Sequence, residues 1–247
     1  MPLEGLGGAR TPVAIASDAS TGTVECSALP GRALHELLGD AGVSQAETSA
    51  AFRATGAAVR GLHESPPPAG ARHHDAASEA EVTDRWTKNS LAHGVLSPAE
   101  AAAARSALAD VHGRLAGLTA AASSLIHRDL HDKQILVDDH TGVGLLDLDT
   151  LAIGDPALDV ANLFAHLQLR VLQGHATLDA AHVAADAFLE GYHPAPPLME
   201  RMVAYAAASR LRLACVYAFR PRWRGLAGQL LDVDGDRAHV VNACLGR

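Results

Sequence analysis

The run His127-Arg128-Asp129-Leu130-His131-Asp132-Lys133-Gln134 concentrates groups that move protons and bind ions, and Asp147 and Asp149 follow shortly after it. Two chemistries fit such a run. In the first, the Asp129 carboxylate accepts a hydrogen bond from an attacking hydroxyl and takes its proton, while Asp147 holds magnesium, a hard oxygen ligand for a hard cation. The amide oxygen of Gln134 then adds a second metal contact, and Asp149 meets either a second metal or the loop. In the second, His127, Asp129, His131 and Asp132 form a metal-ligand run of a metal-dependent hydrolase. Zinc hydrolases bring three protein ligands to one metal, and the downstream Asp147-Leu148-Asp149 together with Gly154-Asp155-Pro156 suits the first chemistry better.

Short elements must hold these residues in place. Leu125-Ile126, Ile135-Leu136-Val137 and Val143 to Leu146 read as strands, the last two joined by the turn-like Asp138-Asp139-His140-Thr141-Gly142. Asp155-Pro156 has the form of an N-cap followed by proline at the first helical position, which predicts a helix through Val160, Leu163, Phe164 and Leu167. Upstream, Val13 to Ala16 and Thr23 to Cys26 predict a hairpin, and Ala33 to Leu38 starts a helical stretch. Phe52, Val59 and Leu62 line one stripe of a core-facing helix. Pro66-Pro67-Pro68 ends that helix, and the residues to about Ala80, including His73-His74-Asp75, read as an exposed polar loop. Ser97-Pro98-Ala99-Glu100 is a capping box before Leu108, Val111, Leu115 and Leu118. Further helices are expected near Leu178 to Gly191, Leu198 to Phe219 and beyond Gly225.

Hydrophobic residues make up 48% of the 247 and aromatics only 4%, so Ala, Leu and Val must fill a helix-rich interior. A formal net charge of −8 provides no global positive field for nucleic acid or an anionic membrane, and suits a cationic small substrate better. Cys26, Cys215 and Cys244 form no CxxC pair, the most apolar late stretch is broken by Arg210 and Arg212, and no basic n-region precedes an apolar segment at Met1. A cytoplasmic protein is the expectation.

His127 to Gln134 nearly matches the kinase pattern H-R-D-L-x-x-x-N, with Gln134 where asparagine is usual. Together with Asp147-Leu148-Asp149, Gly154-Asp155-Pro156 and Asp159, it resembles the aminoglycoside and small-molecule phosphotransferase family. Leu29-Pro30-Gly31 is similar to the segment after that family's interlobe hinge, and Val59 to His63 to a helix end carrying a leucine-histidine pair. The resemblance implies an α+β, protein-kinase-like fold with a mostly helical C-terminal lobe, ATP and Mg2+ bound between lobes, and a small polar acceptor. It further implies Asp129 as the base for transfer of the γ-phosphate, Asp147 as a magnesium ligand, and nucleotide contacts at Glu25 and Ser27 near the hinge. Lys133 is placed to reach a phosphate, and His127, Arg128 and Asp159 to support the loop, with Asp159 a buried acid that meets it through Arg128. Residues 1–30 are then expected to be a remnant of the nucleotide-binding lobe and 31–247 the catalytic and substrate-binding lobe.

Departures accompany the resemblance. Lys88 and Lys133 are the only lysines, so none lies upstream of the hinge-like segment to contact nucleotide phosphates, and no GxGxxG appears. The small lobe is expected to be truncated. A catalytically impaired binding or regulatory module is therefore the alternative to an active transferase.

Overall fold

A computed structural model describes residues 6–118 and 123–232; Cys244 and the chain beyond residue 232 lie outside the described residues. The architecture is mixed α+β, a large helical body carrying three small sheets. Strands β1 (Ala14–Asp18) and β2 (Thr23–Cys26) form an antiparallel hairpin. Strand β3 (Arg32–Ala33) leads into the single-turn helix α1 (Leu34–Leu37), and β3 pairs with β6 (Ile135–Asp138), which pairs with β7 (Gly142–Leu145). Strand β8 (Ala152–Gly154) lies between β4 (Arg72–His74), to which it is parallel, and β5 (Ser124–Ile126), to which it is antiparallel.

The helices are α2 (Gln45–Glu64), α3 (Ala76–Ala92), α4 (Pro98–Ala116), α5 (Pro156–Leu172), α6 (Leu178–Tyr192), α7 (Pro196–Ala218) and α8 (Leu226–Leu230). Their starts follow local chemistry. Ser44 and Ser97 each complete a capping box with the glutamate three residues on, and Asp155 accepts a hydrogen bond from the Ala157 amide ahead of Pro156. Phe52, Val59 and Leu62 are fully buried on one face of α2. That face meets α6 at backbone distance: a Cβ on Gly56 would lie 2.1 Å from the Phe188 carbonyl oxygen, and one on Gly191 would lie 1.9 Å from that of Arg53. Helix α5 runs through the middle of the body and is buried from Pro156 to Arg170.

Two expectations are corrected. The stretch through Ala80 is not a loop, because β4 and α3 occupy it, with Asp75 capping α3 by accepting from the Ser78 amide at 2.8 Å. The buried side chains of α3 are Glu79, Thr83, Thr87 and Ser90, so its inward stripe is polar and leaves no apolar period. Thr83, Thr87 and Ser90 satisfy their hydroxyls on carbonyls four residues back. Nor is His74 exposed: it is buried against Glu79, its Nε2 2.9 Å from the carboxylate.

Ahead of Pro30, Leu6 and Ala9 close a tight turn with Gly7 and Gly8 at positive φ. Gly7 sits so close to Gly61 of α2 that a Cβ would overlap its carbonyl carbon at 1.8 Å. These glycines dock the turn on α2. Arg10 then exchanges backbone hydrogen bonds with Val143 and Leu145, tying the N-terminal segment to β7. None of the described helices is long and apolar enough to cross a membrane.

Candidate active site

The loop between β5 and β6 is held from beneath by one face of α5. Asp159, Asn162, His166 and Arg170 recur at spacings of three, four and four, which puts them on one stripe of the helix. Asp159, fully buried, accepts from the backbone amides of His127 at 2.6 Å and Arg128 at 2.7 Å and meets His63 Nε2 at 3.0 Å. His63 Nδ1 in turn lies 2.7 Å from the Tyr192 hydroxyl. Asn162 donates to the Leu130 carbonyl at 2.9 Å, and Arg170 grips both Asp132 oxygens at 2.6 and 2.8 Å. Thus α5 fixes the loop at His127, Arg128, Leu130 and Asp132.

This grip offsets strain. Arg128 adopts φ 75°, a left-handed conformation that costs a non-glycine residue on the order of 1–2 kcal/mol. Asp159 therefore meets Arg128 through its backbone amide and not through the guanidinium, correcting the expected ion pair. His127 is buried and its Nε2 lies 2.8 Å from the Leu146 carbonyl, so it bridges the loop to the segment after β7.

Asp129 projects from this platform with its side chain 37% exposed. Its Oδ1 accepts from Arg212 Nη1 at 3.0 Å, and Arg212 Nη2 donates to Asn162 Oδ1 at 2.6 Å. One guanidinium from α7 thus orients the carboxylate and locks onto the residue that holds the next peptide. The other Asp129 oxygen remains for a proton donor.

Asp147 follows β7 in a left-handed conformation, φ 57° and ψ 57°, which turns the chain into the short 3-10 segment Leu148–Thr150. Its exposed carboxylate accepts from Gln134 Nε2 at 2.8 Å, and the buried Gln134 Oε1 has no partner. Asp147, Gln134 and the exposed Asp149 make an all-oxygen donor set that fits magnesium, with a spare acceptor already in place at Gln134. Gln134 and Asp147 are brought together, and among the described residues no hydrogen bond joins Asp149 to either.

The hydrolase arrangement is not assembled. Of its residues, His127 turns to Leu146, Asp129 to Arg212 and Asp132 to Arg170. His131, Asp132 and His166 do offer ligand atoms within 4.8 Å of one another, but both Asp132 oxygens are already held by Arg170. The His131 and His166 rings stack, centroids 4.6 Å apart. Burial and then the neighbouring His131 hold His166 well below its usual pKa, and burial likewise lowers His131.

Lys133 is exposed, its pKa lowered by partial burial and then by the Arg170 charge, against the opposing pull of Asp132. Glu25 and Ser27 are not brought to the loop by any hydrogen bond among the described residues. Ser27 closes the hairpin instead, donating its amide to the Val13 carbonyl and accepting the Val13 amide on its hydroxyl, both at 2.9 Å. Sequence reasoning missed Asn162, Arg170 and Arg212 as loop partners. The signal was present as buried-type spacing on α5 and as an arginine interrupting the apolar run of α7.

The fold and this loop define a kinase-like phosphotransferase architecture. A family model described as the phosphotransferase enzyme family, APH, matches residues 3–202, and the chain belongs to that family. Among solved structures it is similar to a choline/ethanolamine kinase family protein from Mesorhizobium loti, at 18% identity over 97% of this chain and 79% of that one, TM-score 0.64. It is also similar to aminoglycoside phosphotransferase APH(3'')-Id from Streptomyces rimosus, at 22% identity over 82% of this chain and 74% of that one, TM-score 0.58. The same enzyme in complex with ADP and streptomycin aligns at 20% identity over 82% and 75%, TM-score 0.56. No curated protein matches the sequence.

Proposed function

We propose that the chain is an ATP- and magnesium-dependent phosphotransferase that moves the γ-phosphoryl group to a hydroxyl of a small polar acceptor. The observation that carries this is the pairing of a positioned Asp129 with the Gln134–Asp147 contact on one α5-braced loop, in a chain of the phosphotransferase family. The free Asp129 oxygen accepts the acceptor's hydroxyl hydrogen bond and takes its proton as the oxygen–phosphorus bond forms. Arg212 keeps that carboxylate in one orientation, which converts encounter into a near-attack geometry. Magnesium, when bound, neutralises phosphate charge; Asp147, Gln134 and Asp149 would hold it. Nucleotide contacts near the hinge fall to the exposed Glu25 carboxylate and the Ser27 carbonyl, since the Ser27 amide and hydroxyl serve Val13. Residues 1–30 then act as the nucleotide-side lobe and hinge, and residues 31–247 as the catalytic and acceptor-side lobe.

A non-transferring binding module is the second reading, favoured by the placement of both lysines: Lys88 pairs with Asp84 on α3, and Lys133 stands in the loop between Asp132 and Gln134, both downstream of Pro30. Purified full chain with γ-labelled ATP, magnesium and a panel of hydroxylated acceptors separates the two. Label transfer abolished by Asp129→Asn supports the transferase. Nucleotide binding without transfer to any acceptor supports the module, and neither binding nor transfer removes both.

A further inference from the structure

The chain's net charge of −8 favours a cationic acceptor, but charges act at contact range, since screening confines them to about 8–10 Å at ordinary ionic strength. The balance beside Asp129 has the opposite sign. Arg212 and Arg170 reach the loop at Asp129 and Asp132, Lys133 follows Asp132 in the chain, and Arg220 lies just past the end of α7. Asp132 is consumed by Arg170 and Asp129 by Arg212. Among the described residues, Lys133 and Arg220 have no carboxylate partner, and Arg220 packs its guanidinium over the Tyr217 ring at 4.7 Å.

A cleft begins where this surplus lies. Along α7 from Arg212, Val216 follows one turn on, about 6 Å along the axis at the helical rise, and Arg220 comes two residues after the helix ends at Ala218. Val216, Phe219 and Arg220 line a cavity of about 400 Å³ with Trp86, Asn89 and His93 of α3, a volume in the range of small-molecule sites. The chain has only nine aromatic residues (four Phe, three Tyr, two Trp), yet two of them, Trp86 and Phe219, face this cleft. Phe219 is 39% exposed and stands edge-on to His93, ring centroids 5.7 Å apart. The cleft thus presents an apolar ring and an exposed guanidinium side by side, a pairing that complements a ring bearing an anionic group.

We infer that the cleft between the C-terminal turns of α3 and α7 is the acceptor subsite, and that it takes a hydroxylated molecule with an aromatic or other apolar ring and an anionic group such as a carboxylate. The ring packs against Trp86 and Phe219, the anion pairs with Arg220 and, from the loop side, Lys133, and the hydroxyl reaches Asp129 past Arg212. This rests on the reading of Asp129 as the base.

The test uses the full chain carrying Trp223→Phe, so that Trp86 is the sole tryptophan, and follows its fluorescence on titration with 4-(2-hydroxyethyl)benzoate or with the matched 4-(2-hydroxyethyl)benzylamine. The carboxylate is expected to bind at least about tenfold more tightly than the amine, the size of one charge-assisted hydrogen bond at a partly exposed site. Raising the salt concentration should narrow the gap. Arg220→Gln should erase most of the preference and Arg220→Lys should keep part of it, with circular dichroism and melting temperature unchanged. Equal or tighter amine binding, a preference that survives Arg220→Gln, or no titration of either compound to millimolar concentration overturns the assignment. Label transfer from γ-labelled ATP is measured on the same samples. Carboxylate binding that depends on Arg220 without any transfer keeps the subsite and removes the transferase reading. Transfer to amines alone, indifferent to Arg220→Gln, removes the subsite and keeps the transferase.

Discussion

Asp159→Asn tests how the loop is built. The carboxylate receives the His127 and Arg128 amides at 2.6 and 2.7 Å and His63 Nε2 at 3.0 Å, all without solvent. An asparagine presents one oxygen and one amino group to the same donors, so one backbone amide faces another donor and the remaining bonds lose their charge assistance. Each charge-assisted bond contributes about 1.5–3 kcal/mol, and breaking a buried pair costs about 3–5 kcal/mol. For a chain of this size 1 kcal/mol corresponds to roughly 2–4 °C in melting temperature, so a fall of about 6–20 °C is expected in calorimetry. Arg128 keeps its left-handed φ of 75°, which the weakened Asp159 site no longer offsets. Arg128→Gly removes that strain, so the double variant should recover about 1 kcal/mol of the loss. A melting temperature within about 2 °C of the parent, or a double variant worse than the sum of the two single changes, would refute the bracing role of Asp159.

Three further outcomes follow from the same geometry. Arg212→Ala should lower kcat about 10- to 100-fold while the KM for ATP stays within about twofold, and Arg212→Lys should recover part of the loss, because Arg212 orients Asp129 through one charge-assisted bond; steady-state kinetics decide it. Gly191→Ala should destabilise by at least about 2 kcal/mol in urea denaturation, since its Cβ would sit 1.9 Å from the Arg53 carbonyl oxygen and α2 and α6 would have to part. His166 is held neutral in the fold, whereas the unfolded chain protonates it near pH 6.5; stability therefore stays level above that pH and falls as pH drops below it, by up to about 1.4 kcal/mol per unit from this group. His166→Leu should flatten that part of the acid limb in denaturant melts between about pH 6.5 and 5, and an unchanged slope would rule His166 out as its source.

Local signals were strong where a single segment carries its own instructions. The capping boxes at Ser44 and Ser97, the Asp155-Pro156 start of α5 and the turn that joins β6 to β7 each specify an element through bonds within a few residues. Helix α3 escaped because its buried stripe is Glu79, Thr83, Thr87 and Ser90, polar groups that satisfy themselves locally or, for Glu79, on His74. Periodicity of apolar residues cannot register a face of that kind.

For the site, the sequence alone determined which residues the proposal relies on: Asp129, Gln134 and Asp147 stand in one short window, and their types and order can be read without coordinates. Their wiring was decided only by tertiary structure. Asp159 was expected to reach Arg128 by charge, whereas the fold turns the Arg128 peptide toward it. Arg212 lies 83 positions from Asp129, and the contact exists only because α7 packs against α5 and lays its guanidinium between Asp129 and Asn162. A partner chosen by helix packing leaves no local trace, because the free energy that brings it there comes from burying the apolar faces of α5 and α7 and not from the charges it finally joins.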